Sequence, residues 1–335
     1  MLARVVENVY WLARYLERAE NTARIVNVNA HLLLDIPRGI APGWLPLVDI
    51  SGSREQFDAK GTRAEERDVV QFLVADPQNP GSLFSSLRAA RENARTLREI
   101  LPTEAWEMLN AFHAAFTRDI ATGLAKRSRF NFLNSTVESL QQVSGVLDGT
   151  MNRNAAHTFL MLGRNLERAD MTSRIVDVRS AQLLPAETPE LRPFETVQWM
   201  SVLKSLSAYQ MYRVAVRARV RRPDVLEFLL RNEQFPRACL FCLNQAELTL
   251  RALPRSEPVI ETLEVARSYV ARAGLEALDQ MGLHAFIDRL QLLINEVHEG
   301  VARIYFPQAW VSGVPRFAQQ AQALGQTQRQ NHLAF

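Results

Sequence analysis

The 335-residue chain is 47% apolar and 22% charged, which is enough to bury a sizeable core and excludes a chain disordered throughout. Its 39 bases and 36 acids leave a net charge of only +3, short of the clustered unpaired charge that nucleic-acid binding requires. No apolar run reaches the roughly 20 residues of a membrane span. The opening residues interleave acids with bases, unlike a secretory signal or transit peptide. A soluble cytoplasmic protein of one large or two smaller domains is the expectation.

In chain order the apolar periodicity is helical almost throughout, predicting an all-α multi-helix bundle. Residues 2–34 form one long periodic segment, closed around Pro37 and Gly39. Residues 40–61 read as irregular and carry one strand-like or extended apolar piece, WLPLVDIS at 44–51. A short helix follows at 65–75. The turn at 76–82 caps a helix over 83–101. Further helices are predicted at 103–126, 131–149 and 153–184. PAETPELRP at 185–193 is the clearest connector. It separates a region 1–184 from a C-terminal helical region, 185–311, expected to pack on it as one integrated domain. Helices are read there at 194–219, 223–230, 237–252, 259–280 and 283–306, punctuated by prolines. Residues 312–335 are Gln-rich and expected to be mobile.

No nucleotide-binding glycine motif or nucleophile elbow is present, and no cofactor is expected. Cys239 and Cys242 form a single C-x-x-C, too few ligands for structural zinc. They read better as apolar residues of a buried helix. The six histidines never fall at H-x-x-x-H or E-x-x-H spacing, so no metal-ligand cluster is expected. Thirty-six of the 39 bases are arginine. Arginine makes bidentate contacts with carboxylate and phosphate that lysine cannot, though a GC-rich genome would also account for the total.

The most informative feature is a repeated line. Residues 13–28, ARYLERAENTARIVNV, and residues 163–178, GRNLERADMTSRIVDV, match at ten of sixteen positions without a gap, at an offset of 150. The shared polar residues include Arg14/Arg164, Glu17/Glu167, Arg18/Arg168 and Arg24/Arg174, while Glu20 and Asp170 keep the acid. On a helix, Val9, Leu12, Leu16, Ala19 and Ala23 fall along one stripe. Arg14, Glu17, Asn21 and Arg24 lie opposite, flanked by Glu20. A solvated face would let these charges drift. Their identity in both copies predicts that this face is engaged too, where buried charges must be paired. We expect a pseudo-twofold centre with two outcomes open. The charges close on one another as a clasp, the commoner state of buried arginine, or some arginines stay free and line a cleft for an anion.

A third charged stretch at 85–99 places Arg88, Arg91, Glu92 and Arg95 at helical spacing. It is either a further contributor to that centre or a solvated amphipathic face. His31 faces Ala181 in the comparison of copies, so it either breaks the symmetry of a site or is a helix-end residue. Trp11, Trp106, Trp199 and Trp310 read as core anchors.

Three separated segments, ENVYWLARYLERAENTARIV, NPGSLFSSLRAARENARTLRE and GRNLERADMTSRIVDVR, closely resemble the alpha-E family, bacterial all-helical proteins named for a Glu-Arg motif. The resemblance runs from residue 1 to about 305, and the Glu-Arg pairs are Glu17-Arg18 and Glu167-Arg168. It implies companionship with circularly permuted ATP-grasp ligases, encoded beside or fused to such proteins. Transglutaminase-like and proteasome-like peptidases are implied as pathway neighbours. The implied role is in making or modifying a peptide or amide-linked metabolite, with the ligase supplied in trans and no catalytic residue carried over. Three functions are open: a substrate-holding partner of the ligase, an enzyme acting on its activated acyl or peptidyl product through Glu17 and Glu167, and a helical scaffold without a ligand. Flanking arginines lower a carboxyl pKa, which makes those glutamates poor general acids.

Overall fold

The computed structural model describes residues 1–37, 43–61, 63–181 and 192–307. The long opening period becomes α1 (Ala3–Asp35), which holds apolar residues at helical spacing for 33 residues without an internal Gly or Pro. After it come α2 (Pro46–Ser51), α3 (Arg54–Asp58) and α4 (Glu66–Val70), the last continuing into a wider π turn over Gln71–Ala75. Next are α5 (Leu83–Thr96), α6 (Thr103–Gly123), α7 (Arg129–Thr150) and α8 (Ala155–Ala181), the second motif helix. The C-terminal part supplies α9 (Arg192–Ser205), α10 (Tyr209–Val216), α11 (Arg222–Leu226), α12 (Cys239–Arg251), α13 (Glu257–Ala271) and α14 (Gln280–Tyr305). No strand occurs among the described residues, so the all-α expectation holds. No described helix is long and apolar enough to cross a membrane.

Several boundaries differ from the sequence expectation, each for a local reason. The piece at 44–51 is helical rather than extended. Pro46 sits in the first turn of α2, where its fixed φ favours a helix start. Leu47, Val48 and Ile50 are buried beneath it. Gly52 closes the helix in the left-handed region at φ +67°. The predicted helix at 194–219 is two helices, α9 and α10, broken where Ser207 adopts φ +53°. The segment at 83–101 leaves the helix after Thr96, and that at 259–280 after Ala271. The cap of α5 is as expected, with the Ser85 amide donating to Ser82 Oγ at 3.1 Å. The connector at 185–193 lies outside the described residues except for the first turn of α9, and the tail at 312–335 and Trp310 lie outside them altogether.

Helix α1 runs through the middle of the molecule. It packs against α5, α7, α8, α9 and α14, and α8 in turn packs against α12 and α14. Residues 9–17 of α1 are buried without exception, so both its apolar stripe and its charged face are covered. Helices α1 and α8 approach most closely at Gly163, where a Cβ would lie 2.4 Å from the Tyr10 carbonyl oxygen. Only a residue without a side chain permits that contact. Helices α8 and α14 run antiparallel. The rings of Phe159 and Tyr305 meet at 5.1 Å near one end, and Asp177 meets His284 near the other.

Candidate functional site

The repeated motif places Arg14, Arg18, Arg168, Glu17 and Glu167 in ion pairs across the α1–α8 seam. Glu167 is fully buried, and Glu17 and Glu20 nearly so. Arg14 Nε donates to Glu167 Oε2 at 2.6 Å. Arg18 donates through Nε to Glu167 Oε1 at 2.6 Å and through Nη2 to Oε2 at 3.0 Å, a bidentate fork. The reverse pair is also made: Arg168 Nε donates to Glu17 Oε2 at 3.0 Å. Within each helix the four-residue pairs Arg24–Glu20 and Arg174–Asp170 repeat the same relation.

The correspondence then stops. Arg14 binds Glu167, but its counterpart Arg164 makes no bond to Glu17. It lies beside Met161 Sδ at 3.7 Å and 4.0 Å from Asp148. The vacant lone pair on Glu17 is taken by Arg237, which precedes α12. Arg237 also donates to Asn21 Oδ1 at 3.0 Å and to Glu20 Oε1 at 2.8 Å. Gln141 of α7 adds a bond to Glu20 at 3.2 Å. An internal repeat of the fold as a whole is therefore not confirmed by these reciprocal pairs.

Burial by itself would raise the Glu167 carboxyl, but Arg18 and Arg14 outweigh it and hold the group at about 2. Glu17 is lowered in the same way: burial opposes, and Arg237 and Arg168 prevail. Both stay ionised at neutral pH. The inner side of the centre is thus a clasp.

Its outer side faces a small cleft between α1, α8 and α14, about 60 Å³ in volume and partly open to solvent, walled by Ser51 and Gly81 at one edge. Arg14, Arg18 and Arg174 reach it, against the carboxylates of Glu167 and Asp170. Their pairing leaves donors over. Arg14 engages Nε and Nη1, the latter on the Tyr10 hydroxyl at 3.3 Å. Arg18 engages Nε and Nη2, and Arg174 engages Nε alone. Among the described residues, Arg14 Nη2, Arg18 Nη1 and both Nη groups of Arg174 have no hydrogen-bond partner. The Arg174 guanidinium lies over Gly52, where a Cβ would come within 2.7 Å of Nη1.

His298 of α14 closes the cleft floor. The Tyr10 hydroxyl accepts from Arg14 and so directs its own hydrogen to His298 Nδ1, 2.9 Å away. That assigns the neutral imidazole with the proton on Nε2. Burial and the neighbouring Arg14 hold His298 down to about 3. The Arg14 guanidinium also lies 5.2 Å from the Trp11 ring centroid, a cation–π contact. Trp11 is therefore a wall of the cleft as well as a core anchor.

Of the remaining sequence candidates, none joins this centre. Arg91 bonds Asn110 of α6 at 2.8 Å and its neighbour Glu92 at 2.7 Å, with Arg95 also on Glu92. Arg88 stacks over Phe84. His31 packs on Phe130 and meets the Asn27 carbonyl at 2.9 Å. These belong to the solvated faces of their helices. Cys239 and Cys242 are free and buried. Burial pushes the Cys242 thiol up to about 12, as the apolar reading anticipates.

The sequence reading missed Arg237, Tyr10 and His298, none of which belongs to the repeated set. It also missed a convergence of Asp177 from α8 with His284 and Asp288 from α14, whose ligand atoms all lie within 4.8 Å of one another. Neither H-x-x-x-H nor E-x-x-H spacing includes this set. The signal that existed was His284-x-x-x-Asp288.

The chain belongs to the Alpha-E family, whose model, described as a predicted alpha-helical domain with a conserved ER motif, matches residues 1–306. Similar curated proteins are uncharacterized proteins of Mycobacterium bovis and of two Mycobacterium tuberculosis strains, each 23% identical over 319 residues. The match covers 88% of this chain but 35% of each relative, so the chain spans about a third of their length. No solved structure matches significantly.

Proposed function

We propose that the protein is a substrate-holding partner of an ATP-grasp amide or peptide ligase in a bacterial peptide-modification or small-peptide synthesis system. In this reading the α1–α8–α14 cleft holds a carboxylate or phosphate of the carrier, peptide or acyl phosphate. One observation carries it: Arg14, Arg18 and Arg174 line one cleft and keep unengaged N–H donors after Arg14 and Arg18 have satisfied Glu167 and Arg174 has bonded Asp170. Fixed, planar donors suit a carboxylate or phosphate oxygen. The greater length of the mycobacterial relatives supports action beside another module, since their matched segment is joined to further chain. The free buried thiols and the absence of a membrane-spanning helix among the described residues support a cytoplasmic setting.

The chemistry favours holding over turnover by the glutamates. Glu167 at about 2 remains a carboxylate at neutral pH and has no proton to donate. The full pairing of the inner charges also supports a second reading, a scaffold without ligand. Thermal unfolding with inorganic phosphate and with glutarate separates the two. The holding role predicts a rise in Tm for the wild type that is lost in Arg174→Ala; equal response in both proteins sinks it. Pull-down with a circularly permuted ATP-grasp ligase from the same organism tests the partnership, and no association at micromolar concentration would refute it.

A further inference from the structure

Helices α8 and α14 carry a second polar cluster one turn beyond the cleft. Asp177 follows Arg174 by three residues on α8, a rise of about 4.5 Å. Asp288 precedes the cleft residue Gln291 by three on the antiparallel α14. His284 Nδ1 stands 2.8 Å from Asp177 Oδ1, and His284 Nε2 stands 3.5 Å from Asp288 Oδ2. Asp177 is buried, and the only hydrogen bond to its carboxylate among the described residues comes from His284. His284 and Asp288 are open to solvent on their outer side.

We propose that Asp177, His284 and Asp288 form a divalent-cation site that extends the anion cleft. The donor set is one imidazole nitrogen and two carboxylates, drawn from two helices whose packing holds them together. Its oxygen-rich, doubly negative character suits a first-row divalent ion such as Mn²⁺. Bonds of about 2.1 Å place neighbouring ligand atoms about 3–3.5 Å apart. The present spread of 4.8 Å or less closes by side-chain rotation of the exposed His284 and the half-buried Asp288. Three protein ligands leave positions for water or for an oxygen of a bound ligand. Arg174 lies one turn along α8, on the cleft side. A phosphate or carboxylate held by Arg174 therefore reaches the open positions of the cation. The cation site stands on its own ligands; its coupling to the cleft rests on the anion-holding reading.

The test uses Mn²⁺ alone, followed by the loss of the free-ion electron paramagnetic resonance signal. The wild type should bind one equivalent. His284→Ala at an exposed position and Asp288→Asn at a half-buried one, both outside the apolar core, should each weaken binding about tenfold or more. An undiminished free-ion signal with the wild type, or binding by both variants as tight as that of the wild type, overturns the site. Isothermal titration with inorganic phosphate, with and without Mn²⁺, tests the coupling separately. Tighter phosphate binding with Mn²⁺ supports it; equal binding refutes the coupling and leaves the cation site standing. Failure of phosphate to bind at all refutes the anion-holding reading and not the cation site.

Discussion

At the scale of single residues, the decisive arrangement is a buried chain of donors and acceptors ending on His298. Arg14 donates to Tyr10, and Tyr10 donates to His298. The fold needs that imidazole neutral. Its pKa falls from 6.5 unfolded to about 3 folded, so the unfolded state binds more protons between those values. Stability from this group is complete above pH 6.5 and declines as the pH drops toward 3. Glu167 adds a second loss, but only below 4.5, as the pH falls toward its folded value of about 2. Between pH 4.5 and 6.5 the Glu167 loss has not begun, but His113 and His157 are also lowered by burial and His284 is raised beside Asp177, so the share of His298 is read from its own variant. His298→Gln, which keeps an acceptor for Tyr10 but does not titrate, should flatten the slope of unfolding free energy against pH in that window. Urea titrations at closely spaced pH values measure it, and an unchanged slope would contradict the buried neutral imidazole. None of this was legible in the sequence. His298 lies outside both motif copies, among the apolar residues of α14, and its environment is made by α1.

At the scale of elements, the motif helices were legible because their period runs for tens of residues and is reinforced by the repeat. What the repeat hid was their closest contact. Gly163 aligns with Ala13, an ordinary small-for-small difference, yet only Gly163 lets α8 touch the α1 backbone. Gly163→Ala should therefore destabilise the protein by about 1–3 kcal/mol, against a helix propensity that alone favours alanine by about 1 kcal/mol. Chemical denaturation gives the sign directly; a stabilised variant would mean the helices part at little cost. The break between α9 and α10 was illegible for a different reason. The stretch around Ser207 has no Gly or Pro to announce it, and the left-handed turn is imposed by the packing of the buried Leu206 and Ala208 on either side. The helix over 46–51 was read as extended because its 6 residues are too few to show a helical period, and Pro46 occupies its first turn, where proline is tolerated.

At the scale of the whole molecule, the N- and C-terminal parts share one charged centre. Arg237 joins Glu17, Glu20 and Asn21 across more than two hundred residues of sequence. Arg237→Met leaves two buried carboxylates short of a partner. Breaking a buried pair costs about 3–5 kcal/mol. We expect the lower end, about 3 kcal/mol, because Arg168 and Arg24 still hold the acids. Tryptophan fluorescence and far-ultraviolet dichroism should give one coincident transition in the wild type; a loss below about 1 kcal/mol in the variant would show that Arg237 is dispensable to the clasp. The class of fold was open to sequence reasoning, since it rests on local periodicity; repetition pointed to a paired charged centre but left the clasp as one of two outcomes. Arg237 was not, because nothing near it in sequence marks an arginine that pairs with acids so far away. The Asp177 cluster was dimmed by the repeat itself, in which the first copy has Asn27 at that place.

The central position of α1 bears on how the chain is made. This helix leaves the ribosome well before α8 and before Arg237, yet its acids are neutralised by bases about 150 and 220 residues downstream. Until those arrive, Glu17 and Glu20 remain hydrated and the apolar stripe beside them lacks its cover. Such long-range closure slows folding and prolongs exposure of sticky surface. The clasp therefore closes only once Arg237 has been made, and a chain that stops short of it leaves Glu17 and Glu20 without that partner.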